Sequence, residues 1–418
     1  MRKTSAVLLP LLAAAGLIAG CADPLPPGQS AGGHGTSNPV PVKPPDEFTA
    51  VTVQPLGTVH ELARGTDGRY HLVYELQLTN TKPAPATIQQ VDVVDAGRSD
   101  RILASFSGSA LIDRMRTMQP APATSAYIAP DASRLLYIEL SFGSLSAAPQ
   151  AIEHHLRLLG AENPGTSTPS QLDYSVARMD VSHRAPLVLG PPLAGKGWVA
   201  VNGCCNHEII HRGSVQSVNG GLFDSQRYAI DWMRLNNAGE LVHGDPTVAT
   251  NYVDYGASVL AVADGTVVDT LNTLPDQTPG SLPDPGSFKS IEEVDGNHVI
   301  LDVGHGKFVF YAHLKKGSVV VHDGQHVPRG QMLAQLGNTG NTSAPHLHLH
   351  VMDGISALGS DGLPYSVDRF GLAGQIDIDA FNSAPSLEGV WLPGPFDNAT
   401  PQRNRFPLNL NVVNFPGR

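Results

Sequence analysis

A chain of 418 residues is long enough for two or three domains that each bury a core, so length leaves room for a catalytic domain with accessory parts. Its 43 glycines and 34 prolines, beside only 16% charged residues, point to turn-rich β-structure with linkers and away from a wholly disordered chain. A net charge of −11 with no basic cluster argues against nucleic acid or anionic lipid surfaces as partners.

The chain opens with Met1-Arg2-Lys3, an apolar run from Ala6 to Ile18, and Ala19-Gly20-Cys21. Basic residues before a short apolar run and small residues after it make an export signal, because a spanning helix needs roughly 20 apolar residues. Ile18-Ala19-Gly20-Cys21 also resembles the bacterial lipobox, which makes Cys21 the lipidated first residue of the mature protein. Residues 1–20 are then a lipoprotein signal peptide, and the chain faces the bacterial cell envelope, toward the periplasm or on the outer surface, held to the membrane through Cys21. Loss of Arg2 and Lys3 takes the charge from −11 to −13. Only Cys204 and Cys205 then remain, and adjacent cysteines can close only a strained ring with each other, which excludes a disulfide framework. Residues 21–46, rich in Pro, Gly and Ser, read as a flexible tether.

Residues 47–183 read as a β-sandwich-like accessory domain that folds independently. Leu72, Tyr74, Leu76 and Leu78 alternate with His71, Val73, Glu75 and Gln77, and further strands are expected over 88–94, 134–142 and 154–159. His154-His155 is no metal pair, since neighbours on a strand face opposite sides. The domain reads as a spacer or a binding module for an envelope protein. Residues 184–393 form a second β-rich region, with strands expected over 259–268, 298–303, 308–314 and 332–336. Residues 394–418, rich in Pro and Asn, read as an extended C-terminal tail that packs across a surface or stays disordered.

Chemistry concentrates in the second region. In Ala344-Pro345-His346-Leu347-His348-Leu349-His350 the histidines alternate, and on a strand they share one face about 6–7 Å apart. That face can hold one metal ion with histidine to spare. Zinc hydrolases use three protein ligands and keep a fourth position open for water. Phe310-Tyr311-Ala312-His313-Leu314 and Ala229-Ile230-Asp231-Trp232 supply further candidates.

These segments belong to an ordered series. Val259 to Val268, Gly296-Asn297-His298-Val299-Ile300-Leu301-Asp302, Tyr311-Ala312-His313-Leu314, Asp323-Gly324-Gln325-His326-Val327 and Gly337 to His348 resemble, in order and spacing, the core of the lysostaphin/LytM-like zinc metallopeptidases. The resemblance runs from Asn206 to Phe370 and implies an antiparallel β-sheet domain with a groove above the sheet. It implies Zn2+ as cofactor, with His348 and Asp231 as ligands and an upstream histidine completing the set. It implies that His313 and His346 assist catalysis beside the scissile carbonyl. His350 has no counterpart and reads as a structural residue or one supporting a ligand. The implied substrates are the cross-linking peptides of peptidoglycan.

One position departs from the family pattern. The first ligand usually stands four residues before the aspartate, where this chain has Arg227, whose guanidinium offers no lone pair. Gln226 to Trp232 resembles a branch of the family with an upstream His-Arg pair, which makes His211, followed by Arg212, the expected third ligand; His207 is the alternative. Cys204 and His207 alone are too little for a zinc site, and the cysteines read as structural or redox-labile. Three functions compete: a zinc metalloendopeptidase acting on peptidoglycan, a non-catalytic scaffold or activator of another cell-wall hydrolase, for which Arg227 is the main support, and a zinc peptidase acting on proteins.

Overall fold

The computed structural model describes residues 46–205, 210–383 and 387–417. Cys21 and His207 therefore lie outside the described residues. The fold is mainly β, and no helix among the described residues is long and apolar enough to cross a membrane.

Up to Asp180, two five-stranded sheets carry the chain. One contains Tyr70–Asn80 paired with Ser133–Phe142, and the other contains Ala86–Asp95 paired with Ala151–Gly160. Leu72, Tyr74, Leu76 and Leu78 of the first sheet and Ile88, Val91 and Val93 of the second meet in one buried cluster. The Tyr70–Asn80 strand differs from a half-exposed one, because His71, Val73 and Glu75 on its other face are buried as well. What covers that face is the second region: Val73 and Ala63 join the cluster that contains Trp232, Tyr311 and Leu349. The expected boundary near 183 is thus no break in the structure, and Phe48–Arg418 forms one compact unit. His154 is fully buried and hydrogen-bonds Tyr74 Oη at 2.8 Å, a packing role.

The second region is built on a twelve-stranded sheet. Its central path runs Asn411–Phe415, Gly195–Val201, Ile230–Arg234, Leu347–Met352, Phe308–Ala312, His298–Asp302 and Gly265–Leu271. The C-terminal segment departs from the expected tail. Thr400–Arg405 and Asn411–Phe415 are strands, and the latter lies between Tyr365–Gln375 and Gly195–Val201. Val412, Val413 and Phe415 explain this, since each is buried and adds apolar surface to the sheet.

Alternation along the central strands sorts side chains to two faces. Leu347, Leu349 and Val351 point with Ile230, Trp232, Val309 and Tyr311 into the main core. His348 and His350 take the opposite face. The register pairs His348 with Asp231 on one side and with Ala312 on the other, and pairs His350 with Phe310.

Candidate metal centre and active site

The sheet brings five of the singled-out residues together. The ligand atoms of His211, Asp231 and His348 lie within 4.8 Å of one another, as do those of His313, His346 and His348. Asp231 is the hub: Oδ2 lies 3.1 Å from His211 Nε2, while Oδ1 lies 2.9 Å from His348 Nδ1 and 3.3 Å from His346 Nε2. Ala312 stands opposite His348, so His313 emerges just where the neighbouring strand ends. Its ring centroid lies 4.6 Å from that of His346.

Backbone carbonyls fix the tautomers. Nδ1–H of His211 donates to Ala229 O at 3.1 Å, that of His313 to Thr339 O at 2.7 Å, and that of His346 to Ala344 O at 2.8 Å. Each ring therefore keeps Nε2 and its lone pair for the centre. His348 turns Nδ1 to Asp231, and its Nε2 faces His350 Nδ1 at 2.9 Å. His350, fully buried, thus sits directly behind His348.

Electrostatics follow from burial and from these contacts. Burial opposes the charge of Asp231, but the imidazoles of His211 and His346 outweigh it and hold the carboxyl well below its usual range. Burial, together with His346 and His348, lowers His313 well below the ordinary imidazole value, and burial likewise lowers His348 despite Asp231. Histidine rings around one carboxylate are a donor set that suits zinc, which takes an imidazole nitrogen once its proton has left, so the residues present fit the implied ion.

Arg227 has a different task from a ligand. Its Nε donates to Glu75 Oε2 at 2.7 Å, its Nη2 to Asp361 Oδ1 at 3.2 Å, and its Nη1 to Gly362 O at 3.0 Å. Arg212, the residue after His211, donates from Nε to Glu75 Oε1 at 3.4 Å and from Nη2 to Ile138 O at 3.1 Å. Glu75 is fully buried between the two guanidiniums. Burial opposes its charge, yet Arg227 and Arg212 hold its pKa below the ordinary carboxylate value. Nearby Asp224 moves the other way, pushed well above its ordinary value by burial and by Glu75. The two guanidiniums thus face Glu75 and Asp361, while burial and Glu75 push Asp224 toward its protonated form.

Two contributors were not singled out from sequence. Asn202 Nδ2 donates to Asp231 Oδ2 at 2.8 Å, and Glu75 reaches the site's support from the first region. Neither carries a motif; Glu75 stood on a strand face that reads as solvent-facing until its cover is known. Cys204 and Cys205 are joined to each other by a disulfide and offer no thiolate.

Residues 249–359, which include His313, His346 and His348, match the family model of Peptidase family M23. Residues 249–359 thus carry a domain of this peptidase family, in line with the resemblance that the sequence showed. Over 57 residues it is 40% identical to the Peptidoglycan DD-endopeptidase ShyA of Vibrio cholerae serotype O1, a stretch covering 14% of this chain and 13% of that protein. Among solved structures, the catalytic domain of lysostaphin from Staphylococcus simulans is 18% identical with a TM-score of 0.21, covering 42% of this chain and 88% of that one. A zinc-containing peptidase from Vibrio cholerae is 15% identical with a TM-score of 0.24, covering 74% and 85%. At these scores neither structural likeness adds to the fold described above.

Proposed function

We propose that this protein is a zinc-dependent metalloendopeptidase that hydrolyses peptide bonds in peptidoglycan cross-links, working from a lipid anchor at Cys21 in the bacterial cell envelope. The observation that carries the reading is the convergence of His211, Asp231 and His348 on one point of the sheet, with His313 and His346 beside it. His211 Nε2, Asp231 and His348 Nδ1 would hold the ion, and His350 and Asn202 would hold two of those ligands in place. Zinc, when bound, supplies water activation and polarisation of the scissile carbonyl.

His313 and His346 act on the substrate side. Each has its Nδ1–H committed to a carbonyl, so Nε2 is the atom that accepts a proton from the attacking water or, once protonated, donates to the developing oxyanion. Burial works against holding charge on His313, which makes it the poorer resting cation of the two. On His346 burial acts the same way, but Asp231 overrides it and raises that ring's pKa.

The family match and the relative's name support the peptidoglycan substrate. Arg227 is engaged with Glu75 and Asp361 while His211 stands beside Asp231 and His348, an arrangement that favours the enzyme over the scaffold. Digestion of purified muropeptides beside unfolded protein substrates by the zinc-loaded full chain tests the proposal. Cleavage of cross-linked muropeptides is expected; cleavage of proteins alone would replace the substrate, and no cleavage of either by zinc-loaded protein would sink the enzyme.

A further inference from the structure

A cavity of about 310 Å³ opens on the same sheet face as the metal centre. Its floor is Val268, Ile300 and Phe310. Ile300 pairs with Phe310, and Phe310 pairs with His350, which touches His348. The Phe310 ring lies 5.1 Å from that of His350, so the apolar floor continues directly into the residues behind the ligands.

The polar part of the lining is acidic. Asp269, Glu292 and Asp295 line the cavity, and among the described residues no lysine or arginine does. The cation that is present, His298, is already committed: it donates from Nδ1 to Gly296 O at 2.8 Å and from Nε2 to Asp269 Oδ2 at 3.1 Å. Asp295 is held less fully: the charge of His298 acts on its carboxyl, but no hydrogen bond reaches its buried Oδ2 among the described residues. Asp295 is among the residues that line the cavity, and it is only 6% exposed. It is also fixed in place, because its carbonyl accepts His313 N–H at 3.1 Å and the following Gly296 has φ +73. A Cβ at Gly296 would meet Thr339 O at 2.2 Å, so this turn admits glycine alone.

We propose that this cavity binds a basic side chain of the substrate, an alkyl stem ending in an ammonium group, with Asp295 as the residue that receives the cation. The inference rests on the peptidase reading above. The floor matches methylenes, and the buried oxygen of Asp295 matches a compact point charge better than the planar fork of a guanidinium. A bare metal ion does not suit it, because Asp295 belongs to no group of described residues whose donor atoms converge at metal distance. A substrate ammonium supplies the charge-assisted bond that the buried carboxylate otherwise lacks.

The test measures binding apart from turnover. Nα-acetyl-lysine methylamide and Nα-acetyl-norleucine methylamide, which differ by one ammonium group, are titrated into the zinc-loaded full chain and followed by ligand-observed NMR. The lysine probe is expected to bind about tenfold more tightly or better, and Asp295→Asn is expected to erase the preference while zinc content stays unchanged. Equal binding of the two probes to the unaltered protein overturns the proposal, whether or not the variant folds. So does a preference that survives in Asp295→Asn. With matched cross-linked peptides, acetylation of the free amine is expected to raise KM about tenfold with little change in kcat. Probe preference without hydrolysis would sink the peptidase reading only, and hydrolysis without probe preference would sink the pocket only.

Discussion

Glu75→Ala is expected to weaken both the fold and the metal site, although Glu75 lies far outside the family's motifs. Its carboxylate is fully buried, 2.7 Å from Arg227 Nε and 3.4 Å from Arg212 Nε. Removing one side of a buried ion pair costs about 3–5 kcal/mol, because the remaining charge stays desolvated. Here two guanidiniums would be left, but Asp361 still faces Arg227 at 3.2 Å. Asp224, 3.7 Å from Arg227 Nε, loses the opposing charge of Glu75, which shifts it toward ionisation although its burial remains. The loss is therefore placed at the lower end, about 3 kcal/mol, with Glu75→Gln costing about half of that because an acceptor remains. Arg212 follows His211, and Arg227 stands four residues before Asp231, so the loss is expected to reach zinc affinity by about tenfold. Urea denaturation of zinc-free protein, followed by competition for zinc with a chelator of known affinity, reads both quantities. A variant within about 0.5 kcal/mol of the parent, with unchanged zinc affinity, would refute the reasoning. By the same logic a fragment of residues 184–418 is expected to bind zinc weakly.

His313→Ala and His346→Ala should keep the metal yet lose turnover by about 10²–10⁴-fold, which metal analysis beside a muropeptide assay checks. Asp254 is 1% exposed, both its carboxyl oxygens lack a partner among the described residues, and burial pushes its pKa up to about 8. A carboxyl raised on folding stabilises most below its unfolded pKa of about 3.9 and loses that advantage as pH rises toward the folded value. Asp254→Asn should therefore gain stability relative to the parent at about 1.4 kcal/mol per pH unit between about 4 and 8, and a difference flat with pH in urea denaturation would contradict this. Cys21→Ser should move the exported protein from the membrane to the soluble fraction, and unchanged partitioning would point to another anchor.

Much of the sheet was legible because its strands are short apolar runs set off by Gly-containing turns. His298–Asp302 and Phe308–Ala312 fall within the expected 298–303 and 308–314, and the alternation of His and Leu in Leu347–Met352 puts His348 and His350 on one face. Two features were not legible, for related reasons. The polar side of Tyr70–Asn80 reads as solvent-facing because a single strand does not reveal that a second region covers it; the two buried arginines that meet Glu75 lie 137 and 152 residues away. The segment after Pro393 reads as a tail because Pro and Asn dominate it. Its buried Val412, Val413 and Phe415 are too few to signal a central strand until neighbours on both sides are known.

The central claim is the identity of the zinc ligands, because two triads share His348. A structure of the zinc-loaded protein, with anomalous scattering to locate the ion, tests it most directly. The ion is predicted on His211 Nε2, Asp231 and His348 Nδ1, at about 2.0–2.2 Å from each, with Arg227 still bound to Glu75. An ion held by His313, His346 and His348 instead, or by His207 in place of His211, would contradict that assignment.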